Sequence, residues 1–445
     1  MKKEKKIEIL KKYLSENDVV IVDKSHASKN RLAKTLLGFG SPKEKIHLCS
    51  EFEQAKQIAI STKSSLILCD YYIENGNGFD LFRAIKNPSE APTPHICILI
   101  TSNLSQAAVA KAAEEDVDTF ILKPYTVNIL LDNLAETISN KLYPSDYVQK
   151  IEEGKKLLEE GKTEEANELF KSAQGLNEKP ALAHFYKGHV HGIAQSNDEA
   201  IEEYQQGLSF NHIHFKCQNG LFQSYLAKGQ DLEAYKVAKE LVKYYPANHE
   251  RFKTIIKLAI TTENLNDFDF LYELFSSSEE KDEKLINHMC AGMFVVAKYF
   301  LIKEEPSKAL NYFKKIASSF GKFYKFPKAI IETLVDFQMH NEANEYISLF
   351  PEDLKKDNYY ILSEFLVKSY KVDDESFTTQ GEELVKSGIQ SYVLHKLLAK
   401  KFYKLNNQTR AEVYLSQAKE FWPEKEEELN SVKEVYSQKQ NEQAA

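Results

Sequence analysis

Short apolar runs alternate with amphipathic stretches over the first 140 residues of the chain. The runs are rich in Val, Ile and Leu, which is typical of strands buried on both faces, and they lie at 19–22, roughly 46–49, 66–69, 96–100 and 119–122. The amphipathic stretches predict helices near 30–37, 51–60, 79–85, 106–114 and 127–139. This alternation predicts an α/β domain with a five-stranded parallel sheet.

After residue 144 the strand-like runs disappear and an internal repeat of 34 residues begins. Six of the repeats have alanine at one helical position: Ala166, Ala200, Ala234, Ala309, Ala343 and Ala411. Seven extra residues are inserted within 276–283. Such a period predicts stacked helix pairs, about eight of them. Residues 426–440 are predicted to form the polar capping helix that a stack of this kind requires, with a loose tail after it.

The 445 residues are too many for one hydrophobic core, so we predict several domains. The predicted order is a basic helical extension (1–17), the α/β domain (18–140), a linker (141–146), helical repeats (147–425), and the capping helix with its tail (426–445). The extension carries six lysines and apolar residues at helical spacing. We expect it to pack on the first domain; the alternative is a segment that touches membrane or nucleic acid.

Charge and cysteine content exclude several classes of protein. A formal net charge of -8 gives no general support for nucleic-acid binding. Five cysteines without a C-x-x-C pair indicate neither a disulfide framework nor a zinc site. No uninterrupted apolar stretch approaches the roughly 20 residues of a membrane-spanning helix. We therefore expect a soluble, cytoplasmic protein.

Polar side chains stand at the ends of four predicted strands. They are Asp23, Asp70, Thr101 and Lys123. The carboxyl ends of parallel strands meet at one edge of a sheet, which is where open α/β sheets build their sites. The sequence therefore predicts that two carboxylates, a hydroxyl and an ammonium lie close together.

These residues and their spacing resemble the CheY-like receiver domain of bacterial two-component response regulators, which has a flavodoxin-like (βα)5 fold. The resemblance implies that Asp70 accepts a phosphoryl group and that Lys123 supplies neutralising charge, which two approaching anions require. It further implies that Thr101 binds the phosphoryl group and that Phe120 is the aromatic residue that then turns inward. Gly78 matches a glycine of the family.

The metal site that the resemblance implies departs from the family pattern. Its ligands for Mg²⁺ would be Asp23, Asp70 and the main-chain carbonyl of Tyr72, but the second acid of the family's usual pair is replaced by Lys24. Mg²⁺ requires oxygen ligands. Either Lys24 turns away and leaves a weakened Mg²⁺ site, or its ammonium lies near the metal position and holds the receiver in one state without phosphate.

The 34-residue repeat resembles the tetratricopeptide repeat (TPR). That resemblance implies a concave groove lined by the first helix of each unit. The polar residues predicted on this face are mostly lysines: Lys216, Asn219, Lys253, Lys257, Lys298, Lys325, Lys328, Lys396 and Lys400. They predict a groove for an acidic protein segment, the alternative being ordinary solvated charge.

The two resemblances together predict a response regulator of two-component signal transduction, in which phosphorylation of Asp70 modulates protein binding by the TPR scaffold. Its phosphodonor would be a histidine kinase or phosphotransfer protein, and its catalysis would be limited to its own phosphorylation and dephosphorylation. We expect a receiver-mediated homodimer, no DNA binding and no membrane insertion. The alternatives are a phosphorylation-independent pseudo-receiver scaffold and an RNA-binding solenoid.

Overall fold

The computed structural model describes residues 2–62, 65–85, 95–102, 117–245, 249–277, 282–319 and 325–444, without the side chains of 249, 325 and 437–444. The chain divides into two compact units. The N-terminal unit comprises Met1–Glu263 and Ser276–Ser278, and the C-terminal unit comprises Asn264–Phe275 and Glu279–Ala445.

The sheet of the N-terminal unit is parallel and has five strands in the order β2-β1-β3-β6-β7. Its strands are β1 (Asp18–Val22), β2 (Ile46–Cys49), β3 (Ser65–Cys69), β6 (Ile96–Thr101) and β7 (Thr119–Leu122). Two short antiparallel strands, β4 (Tyr72–Ile73) and β5 (Gly76–Asn77), form a separate hairpin. The order of the five sheet strands is that of flavodoxin-like folds, so the predicted α/β fold class is confirmed.

Helices cover the sheet. In chain order they are α1 (Lys3–Glu16), α2 (His26–Gly38), α3 (Phe52–Ser61), α4 (Gly78–Ile85) and the helix Val127–Leu142. Along β1, Val19 and Ile21 enter one core cluster, and Val20 and Val22 enter another. This burial on both faces explains the continuous apolar runs of the strands. The helix predicted at 106–114 lies outside the described residues.

Helix α1 packs on the receiver-like domain, as expected. Its side chains Leu10, Tyr13 and Leu14 are buried in the same core cluster as Val19 and Leu134. Ion pairs join the exposed side of the contact: Lys3 to Asp132 and Lys6 to Glu136, each at 2.7 Å. The basic face of α1 is thus partly neutralised by the last helix of the domain.

The rest of the described chain is helical. Its helices are Asp146–Glu159, Thr163–Gln174, Ala181–Ile193, Asn197–Phe210, Phe215–Ala227, Asp231–Tyr244, His249–Thr261, Phe268–Ser277, Glu283–Ile302, Pro306–Ser319, Lys325–Asp336, His340–Glu345, Asn358–Lys368, Asp374–Lys386, Tyr392–Lys404, Gln408–Phe421 and Glu426–Ala444. These seventeen helices confirm the predicted all-α second part. Only residues 143–145 separate the helix Val127–Leu142 from the first of them.

The last helix differs from its prediction. We predict a loose tail after residue 440, whereas the helix Glu426–Ala444 continues through those residues. The segment NEQA contains no glycine or proline, and extending an existing helix by one residue costs little once its first turn has formed.

The repeat is visible in the backbone. Residues with positive φ recur at the end of successive first helices: Gly161, Gln195, Gly229, Glu263, Glu304, Gln338 and Asn406. Neighbouring positions in this series lie 34 residues apart, with two exceptions. Seven extra residues precede Glu304, and Asn406 follows Gln338 by two repeats, or 68 residues. At Gly161 two hydrogen bonds close the helix, from Gly161 N to Leu158 O at 3.0 Å and from Lys162 N to Leu157 O at 2.8 Å.

The small residues of the repeat stand where helices approach closely. The predicted alanines Ala166, Ala200, Ala234, Ala309, Ala343 and Ala411 are all fully buried. A Cβ atom on Gly154 would lie 2.4 Å from the Phe170 ring, and one on Gly188 would lie 2.6 Å from the Tyr204 ring. The period therefore corresponds to a repeated packing contact between the two helices of a unit.

Among the described residues one helix, Glu283–Ile302, is long and apolar enough to cross a membrane by length and composition alone. Half of its most apolar window is buried within the protein, including Met289, Val296 and Phe300. Burial of this kind is also found in core helices.

Candidate functional site

Three of the predicted strand-end residues meet at one edge of the sheet. The Lys123 Nζ atom lies 2.7 Å from Asp23 Oδ2 and 2.6 Å from Asp70 Oδ2. The side chains of Asp23, Asp70 and Lys123 are only 6%, 16% and 22% exposed. One ammonium is thus held between two carboxylates, and Asp70 keeps the larger opening to solvent of the two acids.

Asp23 is fixed by the start of α2. The Ser25 amide donates a hydrogen bond to Asp23 Oδ1 at 2.7 Å, and the Ser25 hydroxyl caps α2 by accepting from the Ser28 amide. Burial alone would raise the pKa of Asp23, but hydrogen bonds from Lys123, Ser28 and Ser25 outweigh burial and lower it. Burial would lower the pKa of Lys123, yet its two carboxylate partners raise it. Both groups are therefore charged at neutral pH.

The backbone approaches Asp70 closely at Gly78. The Asp70 amide donates to Val22 O at 2.8 Å, which ties the end of β3 to β1. Gly78, at the start of α4, approaches so closely that a Cβ atom there would lie 2.6 Å from Asp70 O. The glycine that matches the family is therefore required by this close contact.

Thr101 and Phe120 differ in their placement. Thr101 is 3% exposed and its carbonyl accepts a hydrogen bond from the Lys123 amide at 2.8 Å, so β6 brings it beside the charged group. Phe120, on the edge strand β7, is 38% exposed. The structure thus places Thr101 at the site and leaves the Phe120 ring partly in solvent.

The metal ligands predicted here form a sparse set. Among the described residues no group of three or more His, Cys, Asp or Glu side chains could hold a metal ion. One carboxylate oxygen of Asp23 and one of Asp70 already form ion pairs with the Lys123 ammonium. Tyr72 pairs with Asn77 in the hairpin, and its side chain is 47% exposed. Two carboxylates and a main-chain carbonyl are oxygen donors of the kind Mg²⁺ accepts, so the chemistry of these three residues fits that ion.

Lys24 is exposed, and no residue in the described part of the chain forms an ion pair with it. Its side chain therefore does not pair with Asp23 or Asp70, which are bridged by Lys123 instead. Of the two readings of the sequence, this arrangement favours the one in which Lys24 turns away.

The sequence analysis did not predict the β4–β5 hairpin, which lies directly after Asp70 in the chain. The β4–β5 hairpin docks on the loop after β2: Glu74 N donates to Ser50 O and Phe52 N donates to Glu74 O, both at 3.0 Å. A Cβ atom on Gly76 would lie 2.8 Å from the Phe52 ring. The Asn75-Gly76 dipeptide is a signal that could have predicted this turn. The buried Lys29, which donates to the Ser50 hydroxyl, has no comparable signal.

In the N-terminal unit the predicted groove residues lie on the helices Phe215–Ala227 and His249–Thr261. Lys257 is exposed, and Lys216 and Asn219 are half-buried. The Lys216 Nζ atom stands 5.8 Å from the ring centres of both Phe185 and Tyr186.

Lys253, on the same face, pairs with Glu250 one turn earlier on its own helix, at 2.6 Å. Its side chain is only 13% exposed. This lysine therefore presents less free charge than the sequence pattern predicts.

In the C-terminal unit the prediction for Lys396 is wrong. Its side chain is 8% exposed and its ammonium pairs with Asp336 at 2.8 Å and with Glu428. Lys328 pairs with Glu332 at 3.4 Å. Glu332 lies one turn later on the helix of Lys328, whereas the acids that pair with Lys396 come from other helices, which a helical pattern does not show.

The other lysines predicted for this unit have different surroundings. Lys298 and Lys400 are half-buried, and no carboxylate of the described residues forms an ion pair with either. The side chain of Lys325 lies outside the described residues.

The fold and the site define a receiver domain joined to helical repeats. Residues 19–135 match the family model described as the response regulator receiver domain. This match confirms the resemblance over the α/β part of the chain.

Two curated proteins are similar to parts of this chain. The small ribosomal subunit protein mS81 (rPPR8) of Arabidopsis thaliana is 23% identical over 311 residues, 63% of this chain and 45% of that protein. The outer membrane protein assembly factor BamD of Rickettsia prowazekii is 23% identical over 146 residues, 31% of this chain and 57% of that protein. This chain therefore spans about half the length of these relatives.

Solved structures similar to this chain include tetratricopeptide repeat proteins. One from Parabacteroides merdae is 16% identical with a TM-score of 0.28, over 57% of this chain and 97% of that chain. YrrB, described as a TPR protein with an unusual peptide-binding site, is 14% identical with a TM-score of 0.27, over 46% of this chain and 98% of that chain. Similarity at this level carries no conclusion about function.

Proposed function

We propose that the protein is a response regulator in which phosphorylation of Asp70 modulates what the helical repeats bind. The observation that carries this proposal is the Lys123 ammonium between Asp70 and Asp23, 2.6 Å and 2.7 Å away, with Thr101 on the adjoining strand end. A purely structural sheet would not need a cation, a hydroxyl and two acids at one edge.

The reaction would be an attack of an Asp70 carboxylate oxygen on the phosphorus of a phosphohistidine in a kinase or phosphotransfer protein. The O–P bond to Asp70 forms as the P–N bond to the donor histidine breaks, and the histidine nitrogen takes up a proton from solvent. Lys123 neutralises charge on the incoming phosphoryl oxygens. The Thr101 hydroxyl would donate a hydrogen bond to the bound phosphoryl group, and Phe120 would then turn inward.

Asp23, Asp70 and the Tyr72 carbonyl are the residues that would hold Mg²⁺. The ion, when bound, would add positive charge opposite the phosphoryl oxygens. With Lys24 in place of an acid, the protein offers one negative charge fewer, so we propose a weak affinity for Mg²⁺. Catalysis by the chain would be confined to its own phosphorylation and dephosphorylation.

The test is mass determination of the intact chain after incubation with a small acyl phosphate across a Mg²⁺ titration. We expect wild type to gain one phosphoryl group only at high Mg²⁺ and Asp70→Asn to gain none. Lys24→Asp should need less Mg²⁺, whereas Lys24→Met, which removes the charge without adding a ligand, should resemble wild type.

A second candidate, the phosphorylation-independent pseudo-receiver scaffold, is favoured by the sparse metal site. Absence of modification of wild type and of Lys24→Asp at every Mg²⁺ concentration would overturn the first proposal in favour of this scaffold.

For the repeats we propose an acidic protein segment as partner, bound by the lysines of the N-terminal unit. Lys257 is exposed there, and Lys216 stands beside the Phe185 and Tyr186 rings. Each exposed contact contributes about 0.2–1 kcal/mol, so several must act together.

We further propose a cytoplasmic location and a receiver-mediated homodimer.

Fluorescence anisotropy of a labelled Glu/Asp-rich peptide at two salt concentrations tests the partner proposal. Reversal of Lys216, Lys253 and Lys257 to Glu should weaken binding strongly. The matched control reverses three lysines on second helices: Lys171, Lys236 and Lys243. Equal loss in both triple variants would show that only the overall charge matters.

A further inference from the structure

The C-terminal unit contains a cluster of charged side chains that the proposed function does not use. At its centre, Lys396 pairs with Asp336 of the helix Lys325–Asp336 and with Glu428 of the last helix. Lys425 approaches Glu428 to 3.3 Å. Lys396 and Lys425 both stand over the Tyr392 ring, at 5.5 Å and 5.6 Å from its centre. We name this set, together with Lys298 and Lys400, the C-terminal charge cluster.

Lys298 and Lys400 belong to this cluster by electrostatic proximity. Both ammonium groups interact with Lys396, Asp336 and Glu428. Lys298 also interacts with Lys425, and Lys400 also interacts with the exposed Lys404. Both are half-buried, and neither forms an ion pair within the described part of the chain. The two carboxylates are already engaged by Lys396 and Lys425, so Lys298 and Lys400 stay without a direct counter-charge.

Burial and neighbouring charges act on the pKa values of both lysines. Burial lowers the pKa of Lys298, and Lys425 and Lys396 lower it further against the opposing effect of Glu428 and Asp336. Burial and Lys396 likewise lower the pKa of Lys400. Burial disfavours the charged form of both lysines, and the neighbouring ammonium groups add to that effect.

We propose that the C-terminal charge cluster binds a small dianion of the phosphate type, either inorganic phosphate or a small phosphate monoester. The cluster as defined contains four ammonium groups and two carboxylates, so it has two positive charges in excess. A dianion would neutralise both, whereas a single carboxylate would leave one. The half-burial of the cations favours a compact ligand, and the pairing of Lys396 with two internal acids disfavours an extended acidic peptide at this place.

Isothermal titration of the full-length chain with inorganic phosphate, at constant ionic strength adjusted with chloride, tests the proposal. A parallel titration with glycerol phosphate distinguishes free phosphate from a monoester. We expect saturable binding to wild type, and at least a tenfold loss of affinity in Lys298→Met with Lys400→Met. The matched control, Lys284→Met with Lys386→Met, removes two exposed lysines of the same unit and should change affinity less than twofold.

If the double variant does not bind phosphate, its stability shows whether the loss is caused by unfolding. Without phosphate, the Lys298→Met and Lys400→Met variant should be at least as stable as wild type, since like-charge repulsion is removed. The only tryptophan, Trp422, lies beside Tyr392 and His395 and reports unfolding of this unit by its fluorescence.

Three outcomes overturn the proposal. One is a ligand-free variant that is destabilised, because its lysines would then be paired internally. Another is equal loss of affinity in the matched control, because screening alone would explain binding. The third is binding of a Glu/Asp-rich peptide at this cluster with none of phosphate.

Discussion

Both units hold one lysine between two carboxylates, yet the charged groups around the two pairs differ. In the receiver domain Lys123 bridges Asp23 and Asp70, and the group carries one negative charge in excess. In the C-terminal unit Lys396 bridges Asp336 and Glu428 in the same manner.

The neighbours of the two groups make the difference. The C-terminal group lies within reach of Lys298, Lys400 and Lys425, whereas Lys24, beside the receiver group, is exposed and unpaired among the described residues. The same pairing would therefore serve the proposed phosphoryl acceptor in one unit and the proposed anion site in the other. In both proposals the charge around the pair distinguishes the two sites.

The largest expected effect concerns the receiver group. Lys123→Met should lower the rate of Asp70 phosphorylation about 10²–10³-fold, because it removes the cation opposite the phosphoryl oxygens. The rate is measured by intact mass against time with a small acyl phosphate. The control Lys34→Met removes an exposed lysine of α2 and should leave the rate unchanged; an unchanged rate in Lys123→Met as well would refute the role of this cation.

The corresponding substitution in the C-terminal unit, at Lys396, should change the free energy of unfolding of that unit. Lys396→Met leaves Asp336 and Glu428 facing each other and should destabilise the C-terminal unit by about 2–3 kcal/mol, below the full effect for a buried pair because Glu428 is partly exposed. Urea unfolding followed by Trp422 fluorescence measures it. Lys404→Met, which removes an exposed lysine from the same helix, serves as control, and equal stabilities of the two variants would contradict the prediction.

A smaller effect is expected at Gly78. A methyl group there would meet the Asp70 carbonyl at 2.6 Å, so Gly78→Ala should displace the acceptor and slow phosphorylation about tenfold, near 1.4 kcal/mol. Gly38→Ala, where the added methyl meets nothing within 4 Å, is the matched control. If both variants react at the wild-type rate, the close contact has no consequence for the acceptor.

The smallest effect concerns pH. Burial would raise the pKa of Glu428, but its bonds to Lys396 and Tyr392 lower it from 4.5 to about 2. A lowered carboxyl pKa contributes stability that is present above pH 4.5 and is lost as pH falls towards 2.

Glu428→Gln should therefore flatten the decrease in stability between pH 5 and pH 3, by less than about 1 kcal/mol because the side chain is partly exposed. Glu434→Gln, on the same helix, is the control. Identical pH profiles of wild type and Glu428→Gln would show that this ion pair contributes nothing measurable.

Several features of the fold follow from local patterns in the sequence. The apolar runs place the five strands, and Asp23, Asp70, Thr101 and Lys123 then meet because parallel strands end at one edge. The exposure of Lys24 and the partly exposed ring of Phe120 were not predictable, because both depend on side-chain packing around the site.

The lysine pattern of the repeats shows the limit of such reasoning. Helical spacing assigns Lys257 and Lys396 to equivalent faces, yet Lys257 is exposed and Lys396 is buried between two acids. Asp336 is 60 residues before Lys396 and Glu428 is 32 residues after it. No local pattern connects residues so far apart.

The sequence by itself determined the succession of strands and helices along the chain, the 34-residue period and the four strand-end side chains. These features depend on short-range spacing, since side-chain direction repeats every two residues in a strand and every 3.6 in a helix. Only the tertiary structure decided which carboxylates neutralise which lysines, and therefore the sign of the charge left over at each site. Electrostatic energy depends on distance and burial in space, and the order of residues along the chain does not specify either.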